Sequence, residues 1–266
     1  LDKAMYQEWF ELENYHWWFV GRRRIFLTLI EAALASDFGQ PSRTLHVADI
    51  GCGTGVNLDA LSRLGVVVGV DVSQTALEFC RARKPYRLCQ APFARLPLRS
   101  GSVDLLTAFD VLEHGEDDAA MLREAFRVCS EGGWAAFSVP AYRFMWGDHD
   151  VAAHHYRRYS LREFVSKIQA AGFEVRRVTY LNTFLFPVSV IFRHAKNLLT
   201  RIQRTLGQEV VPRSDFRSTA PSWLNPLLLR IFAAEGRVLR GFDLPFGLSL
   251  FCLARKPEPP QRRGEP

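Results

Sequence analysis

The sequence predicts an α/β fold, a parallel or mostly parallel sheet with helices on both faces. Three observations predict it. Between residues 44 and 186, short apolar runs of strand length alternate with stretches of helical period, the pattern of β-α-β units. One of these runs, Val66 to Val70, is valine-rich throughout, as befits a strand covered on both faces. The first run ends in Gly51-Cys52-Gly53-Thr54-Gly55, and three glycines in five positions mark a backbone bend that something must approach closely.

The elements follow in order. Residues 1–35 read as helices, with Ile25, Phe26, Leu29, Ile30 and Ala33 on one face. A polar, Pro-containing break spans Ser36 to Arg43. Thr44 to Ile50 is a buried strand, Val56 to Leu64 a helix and Val66 to Val70 a strand. Ser73 is placed to cap the next helix. Val103 to Phe109 is a strand, Asp117 to Cys129 a helix, and Trp134 to Val139 a strand. Ser160 with Glu163 three residues on is a capping-box pattern, opening a helix that stops at Gly172. Glu174 to Phe186 and Gly247 to Ala254 complete the strands. The organisation expected is a helical cap at 1–43, a core at 44–186, a helical insertion at 187–246, a last core strand at 247–255 and a disordered, Pro- and Arg-rich tail at 256–266.

The 266 residues carry a net charge of +6, distributed unevenly. Residues 1–150 hold 15 Lys and Arg against 20 Asp and Glu, whereas residues 151–266 hold 19 against 8. A basic rear half suits an anionic partner or is simply a solvated surface. The five cysteines are scattered and form no C-x-x-C pair, which points to a reducing compartment without zinc or disulfide framework. Neither a signal peptide nor an apolar run of spanning length is read, so a cytoplasmic protein is expected.

A glycine bend between strand and helix brings a ligand onto unpaired N–H groups at the helix start. Here the pattern is G-x-G-x-G, and Val56 stands where a dinucleotide fingerprint wants glycine. Asp49 precedes the bend, and Asp71 closes the second strand, where a carboxylate can accept two ribose hydroxyls. Together with Val70-Asp71-Val72-Ser73, Leu96-Pro97-Leu98, Ser102-Val103-Asp104-Leu105-Leu106, Asp110-Val111-Leu112-Glu113-His114 and Gly132-Gly133, this set resembles the class I S-adenosylmethionine-dependent methyltransferases over roughly residues 44–185 and the last strand. The resemblance implies a Rossmann-like three-layer sandwich whose seven-stranded sheet ends in an antiparallel strand, with S-adenosyl-L-methionine as cofactor. It places Asp49, Gly51, Cys52, Gly53, Gly55, Asp71, Val72, Phe93, Phe109 and Asp110 at the cofactor. One position departs: Pro92 stands where many relatives hold an acid that meets the adenine amino group, which leaves adenine to backbone near Phe93 and to contact with Val72 or Phe93.

Two clusters follow the fourth and fifth strands, where acceptor chemistry belongs. One is Asp110, Glu113 and His114. The other is "GDHDVAAHHYRRYS", Gly147 to Ser160, which contains an H-x-R-R-Y segment similar to that of a bacterial methyltransferase subgroup. His149, His154 or His155 is placed to act as base, Arg158 to hold an anionic acceptor, and Tyr156 or Tyr159 to orient it; the bland reading is a solvated loop. A metal site from His149, Asp150, His154 and His155 lacks familiar zinc spacing, and no metal is expected. The stretch "NYHWWFVGRRRIF" either shapes the acceptor cavity through Trp17, Trp18, Phe19 and Arg22 to Arg24 or packs on the sheet.

In the insertion, Ile191, Ala195, Leu198, Leu199, Ile202 and Leu206 form one stripe, with Arg193, Lys196, Arg201 and Arg204 largely off it. This basic amphipathic helix fits an anionic membrane surface, an apolar lid, or a core or dimer contact. A second helix, Leu227 to Leu239, follows Pro226. The function read is methyl transfer to a small-molecule or lipid-like acceptor, cytoplasmic or at the inner face of the membrane, with no nucleic-acid partner. A non-catalytic cofactor-binding module and a nucleic-acid methyltransferase are the alternatives.

Overall fold

A computed structural model describes residues 3–38, 44–208, 210–211 and 222–259. Its centre is one seven-stranded sheet in the order β3-β2-β1-β4-β5-β7-β6. The strands are β1 (Leu45–Ile50), β2 (Gly65–Asp71), β3 (Arg87–Gln90), β4 (Val103–Phe109), β5 (Cys129–Pro140), β6 (Glu174–Leu181) and β7 (Ser249–Arg255). Pairings from β3 across to β5 are parallel, and β7 runs antiparallel to both β5 and β6. All seven residues of β4 are buried, as expected of a strand covered on both faces.

Strand order reverses between β1 and β4, and the crevice at such a switch point is where ligands bind in open α/β sheets. The turns after these two strands therefore lie side by side. Asp49 on β1 pairs in register with Thr107 on β4.

The helices are α1 (Lys3–Leu12), α2 (Trp17–Phe38), α3 (Leu58–Leu61), α4 (Gln74–Arg83), α5 (Asp118–Val128), α6 (Asp148–Ala152), α7 (Leu161–Ala170), α8 (Phe186–Thr205) and α9 (Asn225–Val238). The predicted caps are present: Ser73 Oγ accepts from the Ala76 N–H, and Ser160 Oγ accepts from the Glu163 N–H. On α2, Ile25, Phe26, Leu29 and Ile30 are all buried. Gly21 allows α2 to meet α9, because a Cβ there would stand 2.6 Å from the Phe232 ring. Phe232 is buried against Trp17, ring centroids 5.8 Å apart.

Several boundaries differ from expectation. The helix expected over Val56 to Leu64 shrinks to the single turn α3. The strand expected to reach Phe186 stops at Leu181, where Asn182 takes φ +61 and α8 soon begins. The edge strand β3 and the short helix α6 were not read from the sequence. Lys256, assigned to a disordered tail, is buried, and its Nζ donates to the carbonyls of Phe126 and Cys129, both at 3.0 Å. The rest of that tail from residue 260 on lies outside the described residues.

Candidate active site

Gly51, Gly53 and Gly55 all adopt positive φ, at +67, +55 and +83, a region that side chains disfavour. A Cβ on Gly51 would also stand 2.4 Å from Val111. At Gly53, among the described residues and apart from its chain neighbours, no atom lies within 4 Å of that place, so bare backbone borders open space. Cys52, next to it, is buried, with its sulfur 3.9 Å from that of Cys80.

Asp71 holds the bend from the next strand. Its carboxylate accepts from the Gly53 N–H at 2.9 Å and the Ser73 N–H at 2.8 Å. Burial pushes its carboxyl up, and these backbone donors pull it back. Asp49 is buried beneath the bend; Thr107 Oγ1 donates to its Oδ1 at 2.6 Å, while Oδ2 has no partner. Burial pushes the Asp49 carboxyl up to about 7. A buried acid with one unsatisfied oxygen is costly without a ligand to complete it.

After β4, Asp110 takes the left-handed conformation with φ +54, rare for a residue with a side chain. Its carboxylate accepts from Ser138 Oγ at 2.9 Å and pairs with Arg22. The Arg22 guanidinium lies 4.0 Å from the centroid of the Trp18 ring. The N-terminal cap thus reaches the strand ends. Glu13 on that cap meets Thr54 Oγ1 and Arg83, clasping the glycine bend from outside. Burial raises its carboxyl, and Thr54 and Arg83 oppose this.

The two clusters read from the sequence come together. The Tyr156 N–H donates to the Glu113 carbonyl at 2.8 Å, and the His114 and His155 rings meet edge to face with centroids 4.7 Å apart. Asp150 is the hub beneath them. It is fully buried and accepts from the Gly147 N–H at 2.9 Å and Arg158 Nε at 2.7 Å; His155 Nδ1 lies 2.9 Å from it. Burial alone would raise its carboxyl, but His155 and Arg158 hold it well below the usual range. Burial and the neighbouring His155 push His114 down to about 3. Glu113 is fully buried with neither carboxylate oxygen bonded; burial pushes it up to about 8 in spite of Arg22 and Arg158 nearby.

One cavity of about 790 Å³ reaches from the glycine bend to the histidines; Asp49 and Asp150 lie behind its wall and not in it. Its wall includes Gly51, Cys52, Gly53, Asp71, Val72, Phe93, Phe109 and Asp110, toward the glycine bend, and His114, His149, His154, His155, Tyr156 and Arg158. Trp17, Trp18, Phe19 and Arg22 line it from the cap. Ala91, Pro92 and Phe93 line it too.

Three sequence assignments change. Tyr159 is not at the cavity: it is buried, and its hydroxyl donates to Asp118 Oδ2 at 2.8 Å. Arg158 is committed to Asp150 and to the Ala141 carbonyl, 3.1 Å from Nη1, so it braces the wall instead of offering a guanidinium to an anionic acceptor. Gly55 turns away from the cavity toward Cys80, whose sulfur would stand 2.9 Å from a Cβ there. The metal-ligand atoms that converge among the described residues are those of Glu113, His114 and His155, all within 4.8 Å of one another. Those are not the four weighed from the sequence. The contribution of Glu13 was missed, because its partners lie 41 and 70 residues away and no local pattern announces them.

The methyltransferase-domain family matches residues 48–137, the stretch that contains the bend, Asp71 and the β4 turn. That stretch is a methyltransferase domain of the class I S-adenosylmethionine-dependent kind. A Mycobacterium tuberculosis protein described as a probable S-adenosylmethionine-dependent methyltransferase is 32% identical over 167 residues, covering 61% of this chain and 57% of its own length. A ubiquinone biosynthesis O-methyltransferase of Albidiferax ferrireducens is 34% identical over 102 residues, 35% of this chain and 40% of its own. The chain thus spans little more than half the length of the mycobacterial relative. The fold of the methyltransferase domain is shared with a Haloferax volcanii chain solved with the Trm112 methyltransferase activator, at 19% identity and TM-score 0.57 over 97% of this chain and 95% of that one. It is shared also with a Haemonchus contortus phosphoethanolamine N-methyltransferase solved with S-adenosyl-L-methionine, at 18% identity and TM-score 0.51 over 85% of this chain and 52% of that one. The domain fits that cofactor: bare backbone at Gly53 faces open space, and Asp49 has an oxygen to spare.

Proposed function

We propose that this chain transfers a methyl group from S-adenosyl-L-methionine to a small-molecule or lipid-like acceptor, releasing S-adenosylhomocysteine. The observation that carries the reading is the single cavity running from the glycine bend to His155. The cofactor, when bound, supplies an electrophilic methyl group, so the protein's task is chiefly alignment and exclusion of water. Asp71 would hold the ribose hydroxyls, and Asp49 the ammonium end. Phe109 and Asp110 would bound the reacting region.

On the acceptor side, Asp150 fixes the His155 ring through Nδ1, which leaves Nε2 as the basic nitrogen. His155 would take the acceptor's proton as the new bond forms. His114, held neutral by burial, would present a second uncharged ring; His149 and His154 complete the wall. Apolar residues of the cap (Trp17, Trp18 and Phe19), of the end of the core (Leu185) and of the insertion (Phe192) give the cavity room for an acceptor with a greasy part. The ubiquinone-pathway relatives support a small-molecule acceptor. The unpaired cysteines and the basic rear half support action in the cytoplasm, at the inner face of an anionic membrane.

The test is incubation of the protein with methyl-labelled cofactor and fractionated small-molecule and lipid extracts. Label in a small or lipid product, lost in His155→Ala, is the expected result. Cofactor binding without any transfer would favour a binding module instead, and label in nucleic acid would replace the acceptor class. The convergence of Glu113, His114 and His155 favours a second reading, in which a divalent cation lowers the acceptor's proton affinity. A rate abolished by chelators and restored by added cation would select it.

A further inference from the structure

α8 carries its polarity the wrong way round for a helix on a globular surface, whose apolar stripe normally faces the core. Its polar side is the one bonded to the body. Asn197 Nδ2 donates to the Trp146 carbonyl at 2.9 Å, and Thr200 Oγ1 donates to Asp148 Oδ2 at 3.1 Å. Arg193 and Arg204 each come within 3.7 Å of Asp150 and Asp148 respectively. On the opposite side Val188, Ile191, Leu198, Leu199, Ile202 and Leu206 are 67, 71, 58, 62, 47 and 70% exposed. At about 100° per residue these six fall within an arc of about 100°.

The charge pattern says what covers this face. From Phe186 to Thr205 there are four Arg and Lys and no acid. Packing a second copy stripe to stripe would bring the flanking Lys196 and Arg201 of both copies together with no acid on α8 to offset them. Residues 212–221, outside the described residues, have Phe216 as their single large apolar side chain, too little to cover six positions. An anionic bilayer meets both demands, with acyl chains for the stripe and headgroups for the cations. Lys196 and Arg201 flank the stripe, one on each side, about 110° from its centre by helical position. At its N-terminal end the stripe runs into the cavity wall: Val188 is part of both, and its neighbour Phe192, 41% exposed, lines the cavity as well.

We propose that α8 is a membrane-docking face that lies in the interface of an anionic bilayer and sets the mouth of the acceptor cavity against lipid. Docking stands on the helix alone; entry of the acceptor from the bilayer rests on the methyltransferase reading above. The test is flotation of the whole chain with vesicles of phosphatidylcholine alone and of phosphatidylcholine with about one-third phosphatidylglycerol. The expected result is binding to the anionic vesicles at least about tenfold stronger than to the neutral ones, weakening with salt. A triple variant, Leu198→Gln with Ile202→Gln and Leu206→Gln, should lose vesicle binding about tenfold or more, with melting temperature and cofactor affinity retained. Lys196→Glu with Arg201→Glu should abolish the preference for anionic lipid. The proposal is overturned if the wild-type chain does not float with anionic vesicles, or if the triple variant floats equally well. It is also overturned if sedimentation shows a dimer that the triple variant converts to monomer. Vesicle binding without methyl transfer would sink the catalytic reading and leave docking intact; methyl transfer without vesicle binding would do the reverse.

Discussion

If Asp49 takes the ammonium end of the cofactor as proposed, cofactor binding is a proton-linked event. Asp49 is 2% exposed, and burial pushes its carboxyl up to about 7 even with the Thr107 hydroxyl bonded to it. An ammonium group placed against the spare oxygen favours the ionised form, so binding expels the proton. The sign follows: affinity is complete above about pH 7 and is lost as pH falls below it. If the bound acid titrates at or below the ordinary carboxylate value of about 4, the dissociation constant for S-adenosyl-L-methionine rises about fifty-fold from pH 7 to pH 5. The ligand's own amino group, with a pKa of about 8, stays charged over that window. Calorimetry in two buffers of different ionisation enthalpy reads the proton directly, and about nine-tenths of a proton should leave per cofactor bound at pH 6. Asp49→Asn should show neither the release nor this pH dependence. Release below about one-third of a proton at pH 6, or the same release from Asp49→Asn, would refute the linkage.

Other expectations can be checked alongside. Asp71→Ala should weaken cofactor binding by about tenfold or more and lower the melting temperature, since two charge-assisted backbone bonds vanish with the ribose contact; unchanged affinity by calorimetry would remove Asp71 from the ribose. His155→Ala should leave cofactor affinity intact and lower kcat by about 10²- to 10⁴-fold, read by calorimetry and by steady-state kinetics. Arg158→Ala should cost about 3–5 kcal/mol in denaturant unfolding, because it leaves the Asp150 carboxylate buried with one partner fewer. Phe232→Ala should cost about 3–5 kcal/mol by opening a cavity between α2 and α9, read by the same titration.

The sheet was legible because its central strands are written as buried runs, and Val103–Phe109 was read with the ends it has in the structure. β3 was not legible: Arg87-Leu88-Cys89-Gln90 sits at the sheet edge with none of its residues buried, so it carries no apolar signature. Periodicity showed α8 to be amphipathic but not which face turns inward, since hydrogen bonds from Asn197 and Thr200 to α6 and its approach overrode the usual rule. The H-x-R-R-Y segment misled in one respect. It is extended between α6 and α7, and Tyr159 leaves it on the side away from Arg158, reaching Asp118 on α5. His155 and Arg158 both reach Asp150 while Tyr159 reaches Asp118, so the motif contributes to a core and a cavity at once.

Asp150 gathers threads from three parts of the chain: the ring of His155, the guanidinium of Arg158 on the strap after α6, and Arg193 on the outermost helix. A shift of that helix therefore bears, through one carboxylate, on the imidazole proposed to meet the acceptor. Whatever grips the protein from outside has a lever on its chemistry.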